Sequence, residues 1–175
     1  MDKLKLVKPS AEYKDDIEDF KANMGGFVHG VARLNEMSVD EWLEFLKTTP
    51  EGWVPATQFM TIRERDGKII SMINLRHELN ADLLHHGGHI GYMVRPDERR
   101  KGYNKEQVRL CLIKAKEMGI GKLLITCFKW NEGSRKTILA SGGVFENEVE
   151  KDGEIFERYW IDLTNSEGDC GKHIK

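Results

Sequence analysis

The stretch 87–104, GGHIGYMVRPDERRKGYN, brings together the residue types that hold a compact anion. Its apolar run, His89 to Val94, has the length and content of a strand. Pro96 stops it, because proline has no N–H for a ladder and restricts the residue before it. Arg99-Arg100-Lys101-Gly102-Tyr103-Asn104 then leads into an amphipathic run. Such a turn offers unpaired backbone N–H groups at the positive end of a helix, and the cations between Arg95 and Lys101 stand beside them. Phosphate or pyrophosphate is the anion that suits it, cradled by the N–H groups from Arg100 to Asn104, with Gly102 allowing close approach. The plain alternative is a basic loop that caps a helix.

Other side chains could move protons or hold charge. His77, Glu78 and His89 are candidate general bases, although a histidine at a strand end is often only a structural hydrogen-bonder. Arg76 either binds a substrate carboxylate or pairs with an acid, and Tyr92 is a second candidate for substrate contact. His85, His86 and His89 match no defined metal-ligand spacing, and adjacent histidines on extended chain point to opposite sides, so no metal is expected. Cys111, Cys127 and Cys170 form no C-x-x-C; the first two lie in helix and strand patterns and read as small buried hydrophobes. The phosphate-loop, dinucleotide-binding and nucleophile-elbow motifs are absent. The tryptophans are scattered and read as packing residues.

These residues need elements to position them. Leu4–Val7 reads as an opening strand, and Tyr13, Ile17, Phe20 and Met24 recur at helical spacing up to the stop at Gly25-Gly26. Phe27 to Met37 has no clear period. Ser38-x-x-Glu41 is a capping box, flanked by Met37 and Trp42 at staple positions, and opens a helix to about Lys47. Thr57–Glu64 and Lys68–His77 are strand patterns joined at Asp66-Gly67, the strongest short hairpin signal. Asn80–His86 is looser. A helix over Tyr103–Met118 buries Val108, Cys111, Leu112, Ala115 and Met118; Lys122–Phe128 is a strand buried on both faces. A helix from about Asn131 ends at Gly142-Gly143, and Val144–Val149 with Ile155–Leu163 form a hairpin turned at Asp152-Gly153. The order β-α-α-β-β-β-α-β-α-β-β predicts one α/β domain over 1–163; residues 164–175 read as a polar, disordered tail.

Composition narrows the class. A length of 175 residues suffices for one domain with its own core, and 39% apolar with 32% charged residues fits a soluble globular chain. A net charge of -2 gives no field for nucleic acid, so none is expected as partner. No stretch has the apolar length of a signal h-region or a membrane span, which predicts a cytoplasmic protein without membrane contact.

Arg99-x-x-Gly102-x-Asn104 after the Val94-x-Pro96 strand end resembles the signature of the GNAT superfamily, the acetyl-CoA-dependent N-acyltransferases. INLRHEL (73–79), GGHIGYMVRP (87–96), LLITC (123–127), Asn131-x-x-Ser134 and SGGVFENEV (141–149) are similar, in the same order, to a bacterial subgroup of predicted acetyltransferases of that superfamily. The resemblance implies a mixed, mostly antiparallel sheet with splayed central strands and helices on both faces. It implies acetyl-CoA as co-substrate, with pantetheine bonded to backbone near Met93 and Val94, an N–H there facing the thioester carbonyl, Asn131 on the pantetheine arm and Ser134 near the sulfur. Arg95, Arg99, Arg100, Lys101, Gly102, Tyr103 and Asn104 fall in the implied CoA turn; Asn104 replaces a usual small residue and would crowd, cap or contact the phosphates. The family's helical tyrosine, which meets the leaving thiolate, is Ile138 here, leaving Ser134 as nearest acid. The implied activity is acetyl transfer to a primary amine on a small molecule or peptide, in a chain that could dimerise. The alternatives are a catalytically silent CoA-binding module and a phosphate-binding structural protein.

Overall fold

Two antiparallel sheets share one contact point and diverge from it. The computed structural model describes residues 2–25 and 30–164. The chain runs β1 (Leu4–Val7), α1 (Lys14–Ala22), α2 (Val39–Phe45), β2 (Ala56–Arg63), β3 (Ile69–Arg76), β4 (Ile90–Val94), α3 (Tyr103–Glu117), β5 (Lys122–Phe128), α4 (Glu132–Ala140), β6 (Val144–Lys151) and β7 (Glu154–Asp162). This is the predicted order, with ends shifted by one or two residues at most elements. Strands pair as β1-β2-β3-β4 and as β5-β7-β6, every ladder antiparallel.

Local chemistry explains the joints. Ser38 caps α2 through the reciprocal box with Glu41: Glu41 N donates to Ser38 Oγ at 3.3 Å and Ser38 N to Glu41 Oε2 at 2.8 Å. In the β6–β7 hairpin Asp152 and Gly153 both take positive φ, 53° and 81°, the twist that two-residue hairpins require.

Helices cover one face of the three-stranded sheet and both faces of the β1–β4 sheet. On one, Ile17 and Phe20 of α1 and Val39 and Trp42 of α2 pack on Met60, Ile62, Met72 and Met93. On the other, Val108, Cys111 and Ala115 of α3 and Ile138 of α4 pack on Phe59, Ile73, Leu75, Leu123 and Ile125. Met118 departs from expectation: it follows the last turn of α3 and is 43% exposed. Leu83–Gly87, inside the looser segment, forms a single wide helical turn. The expected tail beyond residue 164 and the start of the aperiodic 27–37 segment lie outside the described residues.

The contact between sheets is His89. Its backbone N–H donates to Leu124 O at 2.8 Å, and Leu124 N–H donates to the His89 ring Nδ1 at 2.9 Å. Beyond that point β4 pairs only with β3 and β5 only with β7. The strands part towards Val94 and Phe128 and leave a cleft between them.

Candidate active site

The cleft has a volume of about 830 Å³ and is walled by β4, the start of α3, the end of β5 and the first turns of α4. Arg95 N donates to Ile70 O and Arg76 N to His89 O, so the alternation of the antiparallel ladder turns the backbone groups of Ile90, Tyr92 and Val94 away from β3, into the cleft. The Val94 carbonyl is taken by Arg99 Nε at 3.0 Å, while its N–H stays on the open edge. A short 3-10 turn, Pro96–Glu98, leads to Gly102, whose φ of 83° starts α3. The N–H groups of Tyr103, Asn104 and Lys105 have no carbonyl a turn earlier to bond, so they form a free positive end on the cleft wall.

The cations divide unevenly. Arg99 and Arg100 are exposed and line the cleft, and so does Lys105, a residue that no motif singles out. Arg95, expected among the CoA contacts, is not there: its guanidinium is buried on the α1 face, bonded to Asp19, Asp97 and Ile69 O. Lys101 turns back onto Glu98 at 2.8 Å. The Tyr103 ring is buried and its hydroxyl meets Arg63 and Asp2, so only its backbone serves the turn. Asn104 does not crowd the turn, because its side chain bridges inward, Nδ2 donating to Thr137 Oγ1 at 3.1 Å and Oδ1 accepting from Gln107 at 2.7 Å.

Glu98 anchors the turn from beneath. It is buried and accepts from Arg63, Lys68 and Lys101 at 3.1, 2.9 and 2.8 Å. Burial pushes its carboxyl up, but the three charged donors outweigh that and hold it at about 2.

Opposite the turn, Asn131 lines the cleft and caps α4, its Oδ1 accepting from Ser134 N at 3.1 Å. The Ser134 hydroxyl is buried and lies 2.5 Å from the Tyr92 hydroxyl, a pairing of α4 with β4. Burial raises the Tyr92 phenol to about 12, so it keeps its proton at neutral pH. Neighbouring Cys127 is likewise raised to about 11, by burial and then by Glu157.

The three expected bases are elsewhere. His89 is buried and spends Nδ1 on Leu124 N–H; burial lowers it to about 4. His77 and Glu78 are exposed past the end of β3, His77 bonded to Thr57 Oγ1 at 2.8 Å, and neither lines the cleft. Among the described residues His86 is the histidine on the cleft wall. Its Nδ1 is buried without a partner and burial lowers its pKa. It closes an aromatic row with Phe156, Phe128 and Trp130. Trp130, 67% exposed, and Trp53, 49% exposed, rim cavities rather than fill the core. No group of three or more metal-ligating side chains occurs among the described residues.

A second cavity, of about 460 Å³, lies behind the first, between β3, the end of α2 and the loops at 30–32, 48–54 and 80–83. Gly30 and Arg76 line both. The loop at Gly30 lies against β4 so closely that a Cβ there would meet Tyr92 N at 2.3 Å. Trp42 Nε1 fixes this loop by donating to Ala32 O at 2.9 Å.

A sequence profile described as "Acetyltransferase (GNAT) domain" matches residues 4–144. The chain belongs to the GNAT acetyltransferase family. Among solved structures it is similar to the ribosomal-protein-S5-alanine acetyltransferase of Vibrio fischeri, at 15% identity and a TM-score of 0.71, covering 96% of this chain and 97% of that one. It is also similar to the spermidine N-acetyltransferase of Vibrio cholerae solved with CoA and spermine, at 15% identity and a TM-score of 0.67, covering 92% and 96%. Such identities establish a common fold. No curated protein matches the sequence. Among the described residues no helix is long and apolar enough to cross a membrane.

Proposed function

We propose that this GNAT acyltransferase uses acetyl-CoA and passes the acetyl group directly to an amine. The observation that carries the reading is a cleft ending in a free helix N-terminus on one side and an unpaired strand edge on the other. The residues fit the co-substrate: the first-turn N–H groups of α3, with Arg99, Arg100 and Lys105, suit the phosphates, and the open β4 edge with Asn131 suits an amide-bearing arm.

The chemistry requires an amine lone pair to form the C–N bond while the carbonyl electron pair moves onto oxygen. The N–H of Val94, on the free edge, is a donor for that developing charge. His86, kept neutral by burial, takes the proton that the amine loses. As the C–S bond breaks, the Ser134 hydroxyl, backed by Tyr92, donates a hydrogen bond to the departing thiolate, which takes its proton from solvent. This pair provides the donor that Ile138, buried in the core, cannot, and so favours turnover over silent binding. A covalent route through Cys127 is disfavoured, because a thiol near 11 is ionised on the order of one part in ten thousand at pH 7.

Calorimetric titration with acetyl-CoA, with a Gly102→Glu variant alongside, tests the reading. Micromolar binding abolished by the variant is expected, because a carboxylate at Gly102 repels phosphate and a side chain strains the positive φ. CoA release on adding amines separates an enzyme from a binding module. No binding by the unmodified protein overturns the reading.

A further inference from the structure

The second cavity carries an apolar wall and very little charge. Val31, Phe45, Leu46, Trp53 and Leu83 line it, and among the described residues the formal charges on its surface are Arg76 and the exposed Asp82. Arg76 is the unusual one. Nη1 donates to Gly87 O at 3.0 Å and Gly88 O at 2.9 Å, whereas no carboxylate lies within ion-pair distance and Nε and Nη2 make no hydrogen bond among the described residues. The other burdened cations, Arg63 and Arg95, each carry acidic partners. A half-buried guanidinium without a counter-ion is costly unless a ligand brings one. Its remaining Nε–Nη2 edge matches a planar carboxylate in a bidentate pair.

We infer that the acceptor is a free α-amino acid with an apolar side chain, its carboxylate held by the open edge of Arg76. The inference rests on the acetyltransferase reading and deepens it. Arg76 borders both cavities, so a carboxylate bound there lies next to whatever enters the cleft. Arg76 Nη2 is 3.5 Å from where a Cβ on Gly91 of β4 would lie, so an amine on the α-carbon of the same ligand enters the cleft beside β4, and the side chain extends back among Phe45, Leu46 and Trp53. A polyamine fits poorly, since its remaining ammonium groups would face Arg76 with Asp82 as sole acid. A protein N-terminus fits poorly too, since its α-carboxylate is consumed in the peptide bond.

L-Phenylalanine and phenethylamine differ only in the carboxylate, so they make the test. CoA release at saturating acetyl-CoA is measured for both and for spermidine, and L-phenylalanine binding to the CoA-loaded protein is measured by calorimetry. The unmodified protein is expected to prefer L-phenylalanine about 100-fold in kcat/KM. Arg76→Gln should raise its KM about 100-fold and leave phenethylamine within about threefold, and Arg76→Lys should restore part of the loss. Preference for phenethylamine or spermidine overturns the amino-acid inference while leaving acetyl transfer intact; so does failure of L-phenylalanine to bind. Equal losses for both amines in Arg76→Gln, with a lowered Tm, would make Arg76 a support for the Leu83–Gly87 turn and also overturn it. Absence of acetyl-CoA binding would remove the reading beneath.

Discussion

Tyr92 holds a proton that burial makes hard to lose, so it and Ser134 serve the departing thiolate as hydrogen-bond donors. The CoA thiol is a good leaving group, with a pKa near that of a free cysteine at about 8.5, and needs no protein acid. Tyr92→Phe is therefore expected to lower kcat by about tenfold, as for one lost hydrogen bond to a charged group, and to leave KM for acetyl-CoA unchanged. Ser134→Ala should fall similarly, and the double variant no further, because the two act as one hydrogen-bonded chain. Steady-state kinetics on the three variants read this directly; additive losses would separate the two hydroxyls. Residue types alone could not have found the pair. The sequence places a tyrosine in a strand and a serine in a helix more than forty positions later, and only the fold brings their hydroxyls to 2.5 Å.

At the scale of elements, the turn proposed to hold phosphate is as firm as its anchor. Glu98 lies in the Pro96–Glu98 turn and binds Arg63 of β2, Lys68 beside β3 and Lys101 of the turn itself. Its folded pKa, about 2, lies below its ordinary 4.5, so its stabilisation is complete above about pH 4.5 and is lost as pH falls towards 2. Glu98→Gln should cost about 3 kcal/mol, since it leaves Arg63 buried with Asp66 alone, and should weaken CoA binding by loosening the turn. Urea unfolding at pH 7 and at pH 3 tests both parts: the variant should be less stable at pH 7 and closer to the unmodified protein at pH 3. Hairpins, capping box, strands and the glycine at the head of α3 were legible because each is a local rule. The directions of Arg95 and Lys101 were not. The pleat sends Arg95 to the α1 face, where Asp19 waits some seventy-six positions away in sequence, and Lys101 turns to an acid on its own turn. A run of cations in sequence looked like a patch; folding splits it between site and scaffold.

For the whole molecule, the cleft exists because, among the described residues, the backbones of the two sheets hydrogen-bond at one junction and part beyond it. His89 is that point, and it is a structural acceptor because Leu124 N–H needs Nδ1 unprotonated. The histidine expected as a base is thus the hinge pin of the site, and the ring that faces the cleft, His86, came from a histidine-rich stretch first considered only for metal. Burial holds His89 at about 4, below its ordinary 6.5. The unfolded chain therefore binds the proton first, and stability falls as pH drops from 6.5 to 4, by at most about 3 kcal/mol from this group. His89→Asn keeps an acceptor oxygen near the position of Nδ1 but cannot titrate. It should remain folded at pH 7.5 within about 1–2 kcal/mol and lose most of the slope between about pH 6.5 and 5, with His77 and His86, also lowered, supplying the remainder there and the lowered carboxylates such as Glu98 adding theirs below. Unfolding free energies across that range decide the point, and acetyl-CoA affinity measured at the same pH values shows whether the junction governs the cleft. Affinity that falls with the unmodified protein's stability and holds steady in His89→Asn ties the two together; an unchanged slope in the variant would remove His89 from the role.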